Sequence, residues 1–268
     1  MSKRHTDILL VDIDQWPTGV FADPATVEGR AAWYSFAFYL RTAAATELDI
    51  DVTELQAGFR SLNRNSIPSG QAFLCDSLDN GAGYSRWFGQ AHTFAELLAH
   101  ADLNTKPTGL AALWMMADAN GASHGVDCDT SCNRCLRDFY NLSYHGLLDW
   151  RLALDMARMA SAQNVTIDLD SSLLGGMSNY WGILCGSAMS PASIILQRLG
   201  YSVPEQYGRL RGYCHPYRSA ILIERHPLWT DDHPYYTEAY AAASLVHPEC
   251  AISSVNPFRV LRRAVDYL

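Results

Sequence analysis

Lysine is almost missing from this 268-residue chain: it occurs at Lys3 and Lys106, and every other basic residue is arginine. Charge is sparse as a whole, at 18% of residues, and 28 acidic against 20 basic side chains leave a formal net charge of -8. That balance argues against a protein that binds nucleic acid by bulk electrostatics alone, so any such contact must use a local patch. Arginine favours planar, two-pronged contacts with carboxylate or phosphate, although a GC-rich genome gives the same skew. There is no Walker A sequence, so the chain is not a motor by itself.

Long apolar runs are missing too. Residues 171–197 contain no charge, but they carry too many Ser, Gly, Asn and Pro for a spanning helix, which needs about 20 mainly apolar residues. They read as buried loop and short helix, with no membrane partner. The N-terminal MSKRHTDILLVDIDQW has no cleavage-site pattern, so a secretory signal is not expected. Of seven cysteines, Cys75, Cys185, Cys214 and Cys250 are scattered and suggest no disulfide framework. A reducing, cytoplasmic setting is the expectation.

What is present is core: 49% of residues are hydrophobic, enough for a globular fold. Residues 6–13 (TDILLVDI), 71–75 (QAFLC), 165–169 and 220–224 (AILIE) read as strands, with a further strand-like segment over 51–58. Helical spacing predicts helices over 27–48, 93–100, 109–119, 144–162 and 237–245. Residues 61–70 (SLNRNSIPSG) read as a turn-rich connector. With no repeat and no low-complexity linker, the expectation is a single domain over 1–268, with a subdivision near 162 as the other division. The expected class is α+β: a small mixed β-sheet, several helices and a zinc knuckle.

The strongest chemical signal is Cys128-x3-Cys132-x2-Cys135. A Cys-x-x-Cys pair reaches around one zinc ion at tetrahedral angles, and a third thiolate four residues upstream lies within reach of the same ion. A closed structural site needs a fourth ligand. His124 is the nearest candidate, with His145, Cys75 and the more distant thiols as others. A redox Cys-x-x-Cys would sit between a strand and a helix start and would not need Cys128. The expected cofactor is one structural Zn2+.

Other patterns are weaker. Residues 121–125 (GASHG) match the G-x-S-x-G nucleophile elbow, which needs a strand before it and a helix after it; here a helix precedes. Asp12-x-Asp14 and Asp168-x-Asp170 follow strand-like runs, and Asp231 and Asp232 could mimic the acidic pair of aspartyl phosphotransferases, but no lysine follows Asp168 and Trp16 stands where a small hydroxyl or β-branched residue is expected, so the set is incomplete. A stand-alone hydrolase or phosphatase built on Ser123 or a D-x-D pair is the rival reading. NGAGY, residues 80–84, reads as a tight glycine turn. Arg134 and Arg137 beside Cys135, and Arg151 on the next helix, are candidates for contact with phosphate or an acidic partner; solvated helix-face charge is the simpler account.

FLCDSLDNGAGYSRWFG (residues 73–89) together with CDTSCNRCLRDFYNLSYHGLLDWRLALDMA (residues 128–157) resembles the zinc-binding domain at the C-terminus of superfamily-two DNA helicases of the MrfA type. It is most similar to the version in DrmB-type proteins of the DISARM anti-phage system. TDILLVDI and residues 29–59 are similar to the start of that domain, and AILIERHPLW with NPFRVLRRAVDYL to its end. The family's members are longer and bring four cysteines together where this cluster has three. The resemblance implies that Cys128, Cys132 and Cys135 hold zinc, that Asn80, Gly81, Gly83 and Tyr84 form a structural turn, and that Asn141, His145 and Asp149 brace the knuckle against its helix. It implies no catalytic residues. The expected role is a non-catalytic accessory subunit of a DNA-processing or anti-phage assembly, partnered by a DrmA- or MrfA-like superfamily-two helicase and meeting DNA through the complex.

Overall fold

The first strand, β1 (Ile8–Val11), leads into the longest helix, α1 (Val27–Leu48). Thr26 starts α1 by accepting the Gly29 N–H at 3.0 Å, and Asp49 ends it in the left-handed conformation at φ 53°. Helix α1 is apolar nearly all round, so it is buried among other elements of its unit. The computed structural model describes residues 5–64, 66–117, 121–162, 165–170 and 179–268. By compactness the chain divides into two units, Met1–Trp16 with Ala22–Val165, and Pro17–Phe21 with Thr166–Leu268.

In the first unit β2 (Leu55–Arg64) and β3 (Ile67–Asp76) form an antiparallel hairpin, and β1 adds to its other side in the order β1-β3-β2. Residues 61–70, expected as a connector, are therefore mostly paired strand. Pro68 is tolerated because β1 pairs only from Ala72 onward, so β3 has a partner on one side there. The sheet meets α1 through Trp33, which is fully buried; a Cβ on Gly70 would lie 2.2 Å from its indole. Trp33 Nε1 donates to the Ala22 carbonyl at 2.9 Å.

The unit continues through α2 (Tyr84–Phe88), α3 (Ala91–Ala99), α4 (Leu110–Met115), α5 (His124–Asp127) and α6 (Trp150–Ser161). The helix expected from 144 begins six residues later. Residues Phe139–Tyr144 instead form a 3-10 segment, and Asp149 caps α6 by accepting the Arg151 N–H at 3.0 Å.

The second unit holds α7 (Pro191–Arg198), β4 (Glu205–Tyr207), β5 (Leu210–His215), β6 (Ala220–Glu224), α8 (Pro234–Val246), β7 (Ala251–Val255) and α9 (Pro257–Arg263). Its sheet runs β4-β5-β6-β7, antiparallel except for the parallel β6–β7 pair, which α8 connects. Three of its helices start with proline just after the cap, where the missing N–H costs nothing. Residues 165–169 are not a strand; the Ile167 carbonyl instead accepts from Trp229 Nε1 at 2.7 Å. The part of the charge-free stretch at 171–178 lies outside the described residues. The class is α+β, with two small sheets among the described residues, one of them mixed. Among the described residues no helix is long and apolar enough to cross a membrane.

Candidate metal centre

His124, Cys128, Cys132 and Cys135 come together in the first unit, with one ligand atom of each within 4.8 Å of the others. His124 opens α5, and its Nδ1 lies 3.0 Å from the Trp114 carbonyl. A carbonyl only accepts, so Nδ1 carries the proton and Nε2 presents a lone pair. That Nε2 is buried and meets no partner among the described residues. His124, Cys128 and Cys135 are buried and Cys132 is half-buried.

The thiols sit in a turn that supplies donors to sulfur. The Cys132 amide donates to Cys135 Sγ at 3.1 Å, and the Arg134 amide to Cys132 Sγ at 3.3 Å. The Cys135 and Arg137 amides both donate to the Cys132 carbonyl, at 3.0 and 3.1 Å, which tightens the turn. A hydrogen bond from Cys135 pulls the Cys128 thiol down to about 4 against the effect of burial. Burial, and then the neighbouring Cys128, push the Cys135 thiol up. One negative charge is easily held here, but three need a cation among them. Three sulfurs and one imidazole nitrogen, mostly buried and convergent, can hold a metal ion. Cys75 lies on β3 outside this group, and His145 Nε2 is engaged with the Asp138 carbonyl at 3.0 Å and Asn141 Oδ1 at 2.8 Å.

The turn is tied to α6 by its first two residues. Trp150 Nε1 donates to the Cys128 carbonyl at 3.0 Å. Arg151 donates to the carbonyls of Cys128, Asp129 and Gly125 at 3.2, 2.9 and 3.2 Å, with its guanidinium 4.2 Å from the Trp150 ring centre. Arg151 is 0% exposed, which corrects the expectation that it meets DNA or a partner: it faces inward. Arg137 is likewise occupied, donating from Nε to Ser131 Oγ at 2.8 Å and from its terminal nitrogen to Thr130 Oγ1 at 3.3 Å. Arg134 is exposed and pairs with Asp127 at 3.3 Å.

Asn141, His145 and Asp149 make a further set of backbone and side-chain ties. Asn141 donates to the Leu136 carbonyl at 2.8 Å and accepts the Asp138 amide at 2.9 Å. Asp138 caps the 3-10 segment and is ion-paired with Arg41 of α1. The Asp149 amide donates to Ser35 Oγ at 2.8 Å, joining the cap of α6 to α1.

The turn at 80–84 is a separate construction. Asn80, Gly81 and Gly83 take φ of 71°, 72° and 86°, which wraps their backbone around a carboxylate absent from the expected residues, that of Asp76. Asp76 Oδ2 accepts the amides of Ala82, Gly83 and Tyr84 at 2.7, 2.7 and 3.1 Å, and Oδ1 accepts the amide and hydroxyl of Ser85 at 2.8 and 2.7 Å. The Tyr84 hydroxyl reaches Glu54 at 3.1 Å. An aspartate a few residues ahead of a glycine-bearing turn is the signal that would have found it. Burial alone would raise the Asp76 carboxyl, but the Ser85 hydroxyl and the amides of Ser85, Ala82 and Gly83 hold it below the ordinary carboxylate range. A folded-state pKa below the unfolded one stabilises fully above the unfolded value, near about 4, and is lost as pH falls toward the folded one. Urea unfolding followed across acid pH is therefore expected to show a shallower acid-side decline for Asp76→Asn than for the unaltered chain, together with lower stability at neutral pH. Parallel declines would remove Asp76 from this role.

Ser123 donates to the Met115 carbonyl at 3.2 Å and forms an isolated antiparallel bridge with Ala117; among the described residues between α4 and the single turn of α5 there is no strand of the kind the elbow requires. Arg64 bridges Asp12 and Asp14, and Asp170 faces Arg211 at 3.9 Å.

No family model matches the sequence, and no solved structure matches it. The chain is similar to Druantia protein DruE of Escherichia coli (strain UMEA 4076-1), 33% identical over 133 residues. The alignment covers 48% of this chain and 6% of that protein, so the chain spans a small fraction of its relative's length. The likeness found is thus to a Druantia protein, and no family model supports a DrmB-type domain.

Proposed function

We propose that His124, Cys128, Cys132 and Cys135 hold one structural zinc ion, and that the chain is a non-catalytic module of an anti-phage defence assembly, docking on a superfamily-two helicase and helping it engage DNA. The observation that carries the metal reading is the His124 Nε2 lone pair, buried without a partner beside three thiols. Zinc suits a Cys3His set, which leaves no open position for chemistry. The ion would neutralise the thiolates and fix the turn against α6; the chain's own residues then present a fixed surface to a partner. The likeness to a Druantia protein supports the defence setting.

Metal analysis of the purified chain is expected to give one zinc per molecule, and Cys132→Ser most of a molar equivalent less. Equal zinc content in the two would sink the metal reading. Co-expression with neighbouring genes is expected to recover a helicase subunit with the chain, which by itself shows no ATPase or nuclease turnover. Turnover abolished by Ser123→Ala or Asp14→Asn would favour the hydrolase or phosphatase reading instead.

A further inference from the structure

The outer edge of β2 is open. The Ser77 amide donates to the Glu54 carbonyl at 2.8 Å, and from there the β2–β3 register runs without a bulge to Arg64 and Ile67. In an antiparallel pair only alternate residues turn their N–H and C=O toward the partner. Those of Gln56, Gly58, Arg60 and Leu62 therefore face β3, and those of Ala57, Phe59 and Ser61 face away from it. β2 ends the sheet, and the backbone groups of these three residues meet no partner among the described residues. Open edges are usually short, or broken by proline, charge or a bulge. This one is ten residues long and has neither proline nor bulge. Its two arginines lean the other way, Arg60 onto Gln71 of β3 and Arg64 onto Asp12 and Asp14.

A groove lies beside this edge, on the face of β2 that α1 covers. Phe59 packs edge-on against Tyr34 of α1 at 4.7 Å between ring centres, and Tyr34 lies 4.2 Å from Tyr144 of the 3-10 segment. Phe38, Tyr140 and Tyr144 form the aromatic side of the groove and Leu55, Gln56 and Ala57 its strand side, around a volume of about 540 Å³. Ala57 stands between Leu55 and Phe59 on one face of the strand, and its small side chain leaves the space. Arg41 also lines the groove, but its charge is met by Asp138, so an apolar side chain suits the lining better than an anion. Tyr140 is 72% exposed, so the aromatic side is reachable from outside.

A row of unpaired amides and carbonyls is matched by a second backbone in extended form, and a groove beside it takes that backbone's alternate side chains. A second copy of this chain is the poorer occupant. A twofold that continues the sheet would lay the copy's α1 along the face that Tyr140 and Tyr144 occupy beside the edge. A single extended segment is narrow enough to pass. We infer that β2 is extended by a peptide segment of a partner protein, which pairs with Ala57–Ser61 as a further strand of this sheet and seats a large apolar side chain against Tyr140 and Tyr144. The site uses none of the four metal ligands and names no helicase, so it stands or falls separately from the proposed function.

The test is selection of a phage-displayed library of random peptides on the immobilised full chain, followed by fluorescence anisotropy of the selected peptides made synthetically. The selected sequences are expected to alternate apolar and polar residues. N-methylation of every second peptide amide, which blocks pairing, is expected to weaken binding at least about tenfold in one phase of the alternation and little in the other. Ala57→Pro removes an outward N–H and no bond of the β2–β3 ladder, so it is expected to weaken binding by about tenfold while thermal unfolding stays as in the parent. The peptide modification leaves the protein untouched and decides the matter if Ala57→Pro does not fold. The proposal is overturned if no sequence is enriched, if binding ignores N-methylation in both phases, or if a folded Ala57→Pro protein keeps full affinity. A dimer that Ala57→Pro converts to a monomer would also overturn it, by giving the edge to a second copy.

Discussion

Replacing Cys135 with Ser, or stripping the metal with a chelator, is expected to destabilise the first unit by on the order of 3–5 kcal/mol. Structural zinc is worth about 10–16 kcal/mol in small fingers with no other core. This unit keeps a core around Trp33, Phe36 and Leu40, so the loss is partial. Without the ion, His124 Nε2 stays buried and unpaired, and the sulfurs are left with one another and the amides of Cys132 and Arg134. The turn then has no reason to keep its shape, and the carbonyls that Arg151 gathers disperse with it. Thermal unfolding with and without chelator, followed by zinc add-back, checks this. Recovery on add-back is expected for the unaltered chain and not for Cys135→Ser. An unchanged melting temperature after full metal loss would show that the cluster is not the clamp.

Arg151→Met is expected to cost about 3–5 kcal/mol, the range for breaking a buried charged network. The guanidinium pairs with three backbone carbonyls from two parts of the turn and lies over Trp150. Methionine fills the volume but removes the donor to the Asp129 and Gly125 carbonyls, at about 1–3 kcal/mol for each that finds no water, while the Cys128 carbonyl keeps Trp150 Nε1. Lysine is not a substitute, because one ammonium cannot reach three carbonyls in the geometry of a planar fork. Since Arg151 orients the loop between His124 and Cys132, the substitution is also expected to weaken metal affinity by about 10–100-fold, as loss of outer-shell support usually does. Urea unfolding and a competitive zinc titration measure the two effects. Stability lost with metal affinity unchanged would mean that Arg151 holds α6 and not the turn.

Some of this was legible in the sequence and some was not. Helix Val27–Leu48 is readable to the residue because its apolar positions are continuous and both ends carry their own stop. Ala220–Glu224 is readable because AILIE is a short apolar run of β-formers at the centre of a sheet. The hairpin over 55–76 is not, since Asn, Ser, Pro and Gly at 61–70 carry turn chemistry that pairing with a neighbour overrides. Nor is the start of α6: residues 144–149 have helical spacing, and only the contact of the Asp149 amide with Ser35 shows where the helix is anchored. At the site, spacing names the three cysteines and puts His124 first among the candidate fourth ligands. What spacing does not contain is the Trp114 carbonyl that sets the imidazole's tautomer, or the inward direction of Arg151. Both depend on backbone groups brought in by the fold.

The four candidate ligand residues lie between positions 124 and 135, and this locality has a kinetic consequence. The entropy of closing a loop grows with its length, so a site drawn from one short stretch can assemble before distant segments meet. The β1–β3 pairing, by contrast, must join Ile8 to Cys75. Capture of an ion by this cluster would therefore ask for nothing from the sheet, and a nascent chain that binds one there could load it as soon as this stretch is free, giving α6 a preformed end on which to dock.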